Sequence, residues 1–390
     1  MYPSLYDLFA DLFGIHFAPL EMIKSFGFFV ALAFILAAYF FAEELKRKEK
    51  EGLVKPNIVR VLKGEKVKTS ELIVSFFLGF IVGYKLLYVA LNFSAFTEDT
   101  QGYLLSLKGN LLGAIIGGII SAYLKYYEKE KEKLPEPVWV EETVHPFQEV
   151  GNMTLIAAIS GIAGAKIFNS LENWGDFLRD PIASLISFSG LTIYGGLIFG
   201  TFFVLLYAHK KGLKLLHVVD ACAPSLILSY GIGRIGCQVA GDGDWGIDNL
   251  APKPHALSFL PDWMWTYHYP HNVNDVGIPI PGCVGDHCMQ LANPVFPTPF
   301  YETTMALLLF FFLWSIRKKI KVPGVLFCVY LMVNGMERFL IELIRVNTKY
   351  IIFGHGITQA QLISPLFFLV GIIGIIYLSK KYSKNKFSEA

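Results

Sequence analysis

The chain has 390 residues, of which 54% are hydrophobic and only 17% charged, whereas soluble domains carry about 25% charged residues. This composition excludes a soluble enzyme, and a formal net charge of +2 gives no reason to expect a nucleic-acid partner. Apolar runs of about 20 residues, the length that crosses a bilayer, recur along the chain.

In chain order, residues 1–23 read as an amphipathic segment on the outer membrane face, without the basic start or small-residue cleavage site of a signal peptide. Spans are predicted at 24–44, 70–93, 108–126, 151–171, 190–208, 217–238, 299–316, 323–345 and 359–379. The stretches 46–68, 125–133, 210–214, 317–321 and 380–386 hold 24 of the 34 Lys and Arg. By contrast, 1–23 and 94–107 hold none and 240–298 holds only Lys253. The positive-inside rule then makes the basic stretches cytoplasmic, with the N-terminus outside and the C-terminus inside. The expected architecture is an all-α, polytopic bundle of about nine spans. After the outer-face segment come a first span with a basic cytoplasmic linker (24–68), a helical hairpin (69–128) and a second cytoplasmic linker (129–150). The main bundle follows over 151–390, with a loop-rich extracytoplasmic cap at 240–298.

One hairpin reads as duplicated. Gly83-Tyr84-Lys85, followed by Lys108-Gly109 and Gly118, resembles Gly164-Ala165-Lys166, followed by Gly190 and Gly200, at an offset of 81 to 82 residues. Small residues also let unrelated helices pack closely, which would give the same look without duplication.

A charged side chain at membrane depth costs about 2.5 to 3.5 kcal/mol on insertion scales, so those that occur mark cavities and function. Arg234 lies near the end of the sixth span, ahead of Cys237, Asp242 and Asp244. In the eighth, Arg338, Glu342 and Arg345 recur at i, i+4 and i+7 on one helical face. The bland reading is an Arg338–Glu342 ion pair, with Arg345 reaching out to the interface. Tyr301 and Glu302 begin the seventh span, and Gln361 the ninth, at the same outer level; a polar chamber in the outer half accounts for all of them. Guanidinium groups match phosphate oxygens, so a chamber open to lipid suits an anionic phospholipid headgroup. A lipid-handling protein fits these residues best; a transporter, channel or structural protein also fits.

Five motifs then carry a family resemblance. They are Tyr194-Gly195-Gly196; Gly233-Arg234-Ile235-Gly236 with Gly241-Asp242; Pro297-Thr298 with Tyr301-Glu302; Gly324 ahead of Arg338, Glu342 and Arg345; and Gly356 with Gln361 and Ser364. In this order and spacing, over 20–45 and from about 150 to 380, the chain resembles the bacterial prolipoprotein diacylglyceryl transferases. The resemblance implies an enzyme of the bacterial cytoplasmic (inner) membrane. Such an enzyme moves the diacylglyceryl group of phosphatidylglycerol to the lipobox cysteine of a prolipoprotein signal peptide, giving a thioether and glycerol 1-phosphate. It implies no cofactor and no metal; the partners are membrane lipids and the signal peptide.

On this reading Arg234 and Arg338 hold the phosphate, Glu342 orients Arg338, and Tyr194 takes part in catalysis. Asp242, Tyr301, Glu302, Arg345 and Gln361 line the substrate chamber. The chain departs from the family in carrying Tyr194 where well-studied members have His, and Cys237 where Asn is usual. Tyr194 cannot accept a proton at neutral pH as His would. Cys237 and the span residues Cys222 and Cys328 read as packing residues. In the cap, Cys283 and Cys288 close a short loop on the oxidising side and read as a disulfide. His268, His271 and His287 match no recognised zinc spacing. A non-catalytic lipid transporter of the same fold is the alternative. It would need a second polar cluster in the cytoplasmic half, where none is expected.

Overall fold

The computed structural model describes residues 1–93, 96, 106–186, 190, 192–347, 350–352 and 355–388. The helices are α1 (Leu5–Phe13), α2 (Ser25–Lys50), α3 (Thr69–Leu91), α4 (Leu111–Glu132), α5 (Val150–Glu172), α6 (Trp174–Arg179), α7 (Pro181–Ile186), α8 (Ile193–Lys210), α9 (Leu215–Ala240), α10 (Thr298–Ile316), α11 (Val325–Glu342) and α12 (Gln359–Ser388). Each predicted span coincides with one long helix. Among the described residues, seven helices are long and apolar enough to cross a membrane, and the chain is a multi-pass membrane protein. The predicted spans at 108–126 and 323–345 fall on α4 and α11, which are outside those seven. The second half of α4 is charged, and α11 carries Glu337, Arg338 and Glu342.

Contacts divide the chain into two units. The first comprises 1–55, 146–154 and 205–390. Its centre is α9, where fifteen residues are buried, so most of this helix is covered. Ile227, Leu228 and Ile232 of α9 pack with Ala33 of α2, Ala306, Phe310 and Leu313 of α10, and Leu326 of α11. Gly231 makes this possible: a Cβ there would stand 2.8 Å from that of Ala306. Phe40 meets Phe310 and Trp314 edge-on at 5.1 and 5.2 Å between ring centres. Asp220 of α9 accepts from the backbone N–H groups of Gly324 (2.7 Å) and Phe327 (3.0 Å), capping the start of α11.

The cap is an ordered loop. Tyr269, Leu291 and Val295 form its small core. The fully buried Asn272 side chain donates to the carbonyls of Tyr269, Val276 and Met289 and accepts from the Val276 N–H. A disulfide joins Cys283 to Cys288, whose Cα atoms are 5.6 Å apart. His268 and His271 point Nδ1 at the carbonyls of Leu291 and His287, while His287 faces Asp275; the three spend these contacts separately.

The second unit comprises 56–145 and 155–204. Here two segments read as linkers pair as antiparallel strands, β1 (Asn57–Lys63) with β2 (Val138–Val144). Helices α3 and α4 cross at glycines, where a Cβ on Gly83 would lie 2.2 Å from the Gly113 carbonyl oxygen. The pair α5 and α8 crosses the same way: a Cβ on Gly164 would lie 2.4 Å from the Gly195 carbonyl oxygen. The turns match too. Asn110 N–H donates to Tyr84 O at 2.9 Å and Thr192 N–H to Ala165 O at 3.2 Å. Lys85 Nζ donates to Lys108 O (2.9 Å) and Lys166 Nζ to Ser184 O (3.2 Å).

Candidate active site

Four elements of the first unit bring their charges together at the C-terminal end of α9. Glu302, in the first turns of α10, has no accessible surface. Its Oε1 accepts from Tyr230 Oη (2.8 Å), Arg338 Nη1 (3.1 Å) and Arg345 Nη1 (2.9 Å). Its Oε2 forms an ion pair with Arg234 Nε at 3.2 Å. One buried carboxylate therefore holds three guanidinium groups. Burying charges is tolerated when they are paired and hydrogen-bonded; the cluster's own carboxylates pair every guanidinium, while Glu302 Oε2 and Arg345 Nε are left without a hydrogen bond.

Asp244 is the second hinge of the network. Its carboxylate accepts from both Arg234 and Arg345, and Thr298 Oγ1 fixes its backbone carbonyl at 2.6 Å. Arg338 also meets Glu342, one turn along α11, at 3.1 Å, and Asn347 donates to both oxygens of Glu342. The cap positions Arg345: Ile247 N–H bonds Ile344 O at 2.8 Å and Gly246 bridges to Arg345. Gly246 is required there, since a Cβ would fall 2.6 Å from the Ile344 oxygen.

The arginines are not equally open. The side chains of Arg234 and Arg345 are 10% and 8% exposed, whereas that of Arg338 is 26% exposed. Each of the three meets two carboxylates, Arg234 and Arg345 sharing Glu302 and Asp244 and Arg338 meeting Glu302 and Glu342, but Arg338 keeps the most exposed side chain.

Of the residues singled out from sequence, Arg234, Glu302, Arg338, Glu342 and Arg345 converge. Arg345 is buried in the network and does not reach out to an interface. Asp242 stands beside them, its carboxylate 3.4 Å from the Asp244 N–H. Tyr301 spends its hydroxyl on Met264 O (2.8 Å) in the cap. Gln361 exchanges hydrogen bonds with Thr358 at 3.1 and 3.2 Å, a capping box that starts α12. Tyr194 belongs to the second unit, in the first turn of α8. Cys237 is buried, 3.6 Å from Arg234 Nη1.

Asp244 and Glu337 were not anticipated. Asp244 was legible as the second acid of Asp242-Gly243-Asp244. Glu337 is 3% exposed, and neither of its carboxylate oxygens has a hydrogen-bond partner; it adjoins Arg338 in sequence. Cys237, Asp242 and Asp244 bring potential metal-ligand atoms within 4.8 Å of one another. Asp244 already bridges two guanidiniums there, which is a poor setting for a further cation.

A family model described as prolipoprotein diacylglyceryl transferase matches residues 115–377, which include every member of this cluster. The chain belongs to the prolipoprotein diacylglyceryl transferase family. Relatives named phosphatidylglycerol–prolipoprotein diacylglyceryl transferase include one from Leptospira interrogans, 28% identical over 57% of this chain and 77% of its own length. Another, from Clostridium botulinum, is 30% identical over 60% of this chain and 82% of its own length. A third, from Dehalococcoides mccartyi, is 26% identical over 60% and 79%. The match to the transferase family begins inside α4, so α2, where resemblance is also read, lies outside it.

Proposed function

We propose that this protein transfers the diacylglyceryl group of phosphatidylglycerol to the lipobox cysteine thiol of prolipoproteins, in the bacterial cytoplasmic membrane. The site would face the outer leaflet, as the one-sided distribution of Lys and Arg supports. The observation that carries the reading is the convergence of Arg234, Arg338 and Arg345 on Glu302, in a chain of this family.

In the reaction the cysteine sulfur attacks the glycerol carbon that bears the phosphate ester. The S–C bond forms, the C–O bond breaks, and glycerol 1-phosphate leaves with the electron pair. The thiol proton must pass to a base. Negative charge grows on the departing phosphate, and fixed cations in a dry site stabilise that growth without reorganising. Arg338 is the arm that binds the phosphate, with a planar fork matched to two oxygens. Arg234 and Arg345 supply the field behind it. Glu342 holds the Arg338 guanidinium in plane; a carboxylate paired with arginine is a poor base. Tyr194 acts as a hydrogen-bond donor to the headgroup, a role read from its motif.

The test is incubation of purified protein with phosphatidylglycerol vesicles and a lipobox peptide. A mass gain on the peptide cysteine equal to one diacylglyceryl group is expected. Binding of both substrates with no mass gain would favour a non-catalytic lipid-binding protein.

A further inference from the structure

The sequence predicts no polar cluster at the basic end of the bundle, and the structure corrects this. At the N-terminal end of α9, seventeen residues and so about 25 Å from Arg234, lies a cavity of about 300 Å³. It is lined by Arg47 and Lys48 of α2, His217 and Asp220 of α9, and Lys318 and Lys321 of the segment before α11. Lys46, Arg47 and Lys48 fall in the basic stretch 46–68 of the sequence and so count as loop charges, although they lie on the last turns of a helix.

Two of these groups are buried without adequate partners. Lys48 is 5% exposed, and its Nζ stands 3.8 Å from Asp220, too far for a hydrogen bond. Asp220 has already given its two oxygens to Gly324 and Phe327. His217 is 7% exposed, and its Nδ1 has no partner. Leaving such a group unmet is costly. Arg47 is neutralised by Glu44 and Glu51, while Lys318 and Lys321 are exposed at the mouth. The first turn of α9, uncapped by its Lys214 side chain, adds the positive end of a helix. In the lining, four cations, Arg47, Lys48, Lys318 and Lys321, face two carboxylates, Glu51, paired with Arg47, and Asp220, committed to a helix cap.

We infer that this cavity binds a phosphate-bearing anion. A phospholipid headgroup and free phosphate offer the same oxygens to Lys48 and His217, with Lys318 and Lys321 closing over them. The layer of Ile227, Leu228, Ile232, Phe310 and Leu313 separates this site from the arginine cluster, so it is a second site and not the end of a channel.

The full chain in phosphatidylcholine nanodiscs would be labelled with an amine-acylating reagent and each lysine quantified by mass spectrometry. Inorganic phosphate is compared with chloride at equal ionic strength, and phosphatidylglycerol-containing nanodiscs with pure phosphatidylcholine. Lys318 and Lys321 should label about fivefold more slowly with the bound anion, while the exposed Lys380 and Lys381 stay unchanged. Protection by added phosphate identifies a soluble anion; protection only in the phosphatidylglycerol discs identifies a headgroup. Lys48→Met should abolish protection. Should that variant not fold, Lys321→Glu at the exposed mouth should abolish it at Lys318. Protection in neither arm, or equal protection at Lys380 and Lys381, overturns the proposal. This readout is separate from peptide mass gain and does not depend on transferase activity.

Discussion

Arg345 Nη1 donates to Glu302 Oε1 at 2.9 Å, from just beyond the end of α11 to a carboxylate with no accessible surface on α10. The same oxygen serves Arg338, and the other faces Arg234. Glu302 is therefore the anion around which the site is assembled. Glu302→Gln should destabilise the folded protein by about 3 to 5 kcal/mol, since three guanidiniums, two of them buried, lose their shared counter-charge. Thermal unfolding in detergent measures this; an unchanged midpoint would mean the arginines are neutralised elsewhere.

Arg338 has the most open of the three guanidiniums. Arg338→Ala should lower kcat/KM by about 100-fold or more, read on the fraction of protein that stays folded. Arg338→Lys should recover less than about tenfold, because a point charge cannot reproduce a two-oxygen fork. Near-normal turnover of the alanine variant would remove this residue from the chemistry.

Asp244→Asn should cost about tenfold or more in turnover, because a hydrogen bond to a charged group is worth about 1.5 to 3 kcal/mol and two arginines lose theirs. Asp242→Asn should cost less, as Asp242 bonds the Asp244 N–H and the Cys237 thiol and forms no ion pair among the described residues. The comparison is made by steady-state assay of the two variants side by side. The opposite ranking would make Asp242 the group that matters.

A phenol is a donor at neutral pH, so Tyr194→Phe removes the hydroxyl and keeps the ring. Turnover should fall about tenfold with lipid binding intact, and Tyr194→His should stay partly active. If the Phe variant turns over normally, Tyr194 is packing and the donor must be sought elsewhere.

The helical frame was legible because apolar length is a strong signal: α9 at 215–240 lies within two residues of the expected 217–238. Helix α2 runs on to Lys50, past the expected 44, since Glu44–Arg47 and Arg47–Glu51 are helix-spaced ion pairs. The strands β1 and β2 were not legible: both lie among charged residues and read as linkers, and their pairing joins segments some 80 residues apart. At the site, the i, i+4, i+7 spacing exposed Arg338, Glu342 and Arg345. Spacing along one helix says nothing of Asp244, which the cap delivers from a loop. Tyr301 and Gln361 carry the right residue types at the right level, but local bonds to Met264 and Thr358 hold their polar atoms.

The register of β1 and β2 bears on how the chain came to carry two hairpins. Lys63 pairs with Val138 and Asn57 with Val144, so the polypeptide goes out to α3 and α4 and comes back through one doorway a strand's width across. A segment grafted at such a doorway leaves its neighbours where they were. The matching glycine crossings and lysine-held turns of α3–α4 and α5–α8 support descent of one from the other. Excising 64–137 and closing Lys63 to Val138 with a tight turn would run that history backwards.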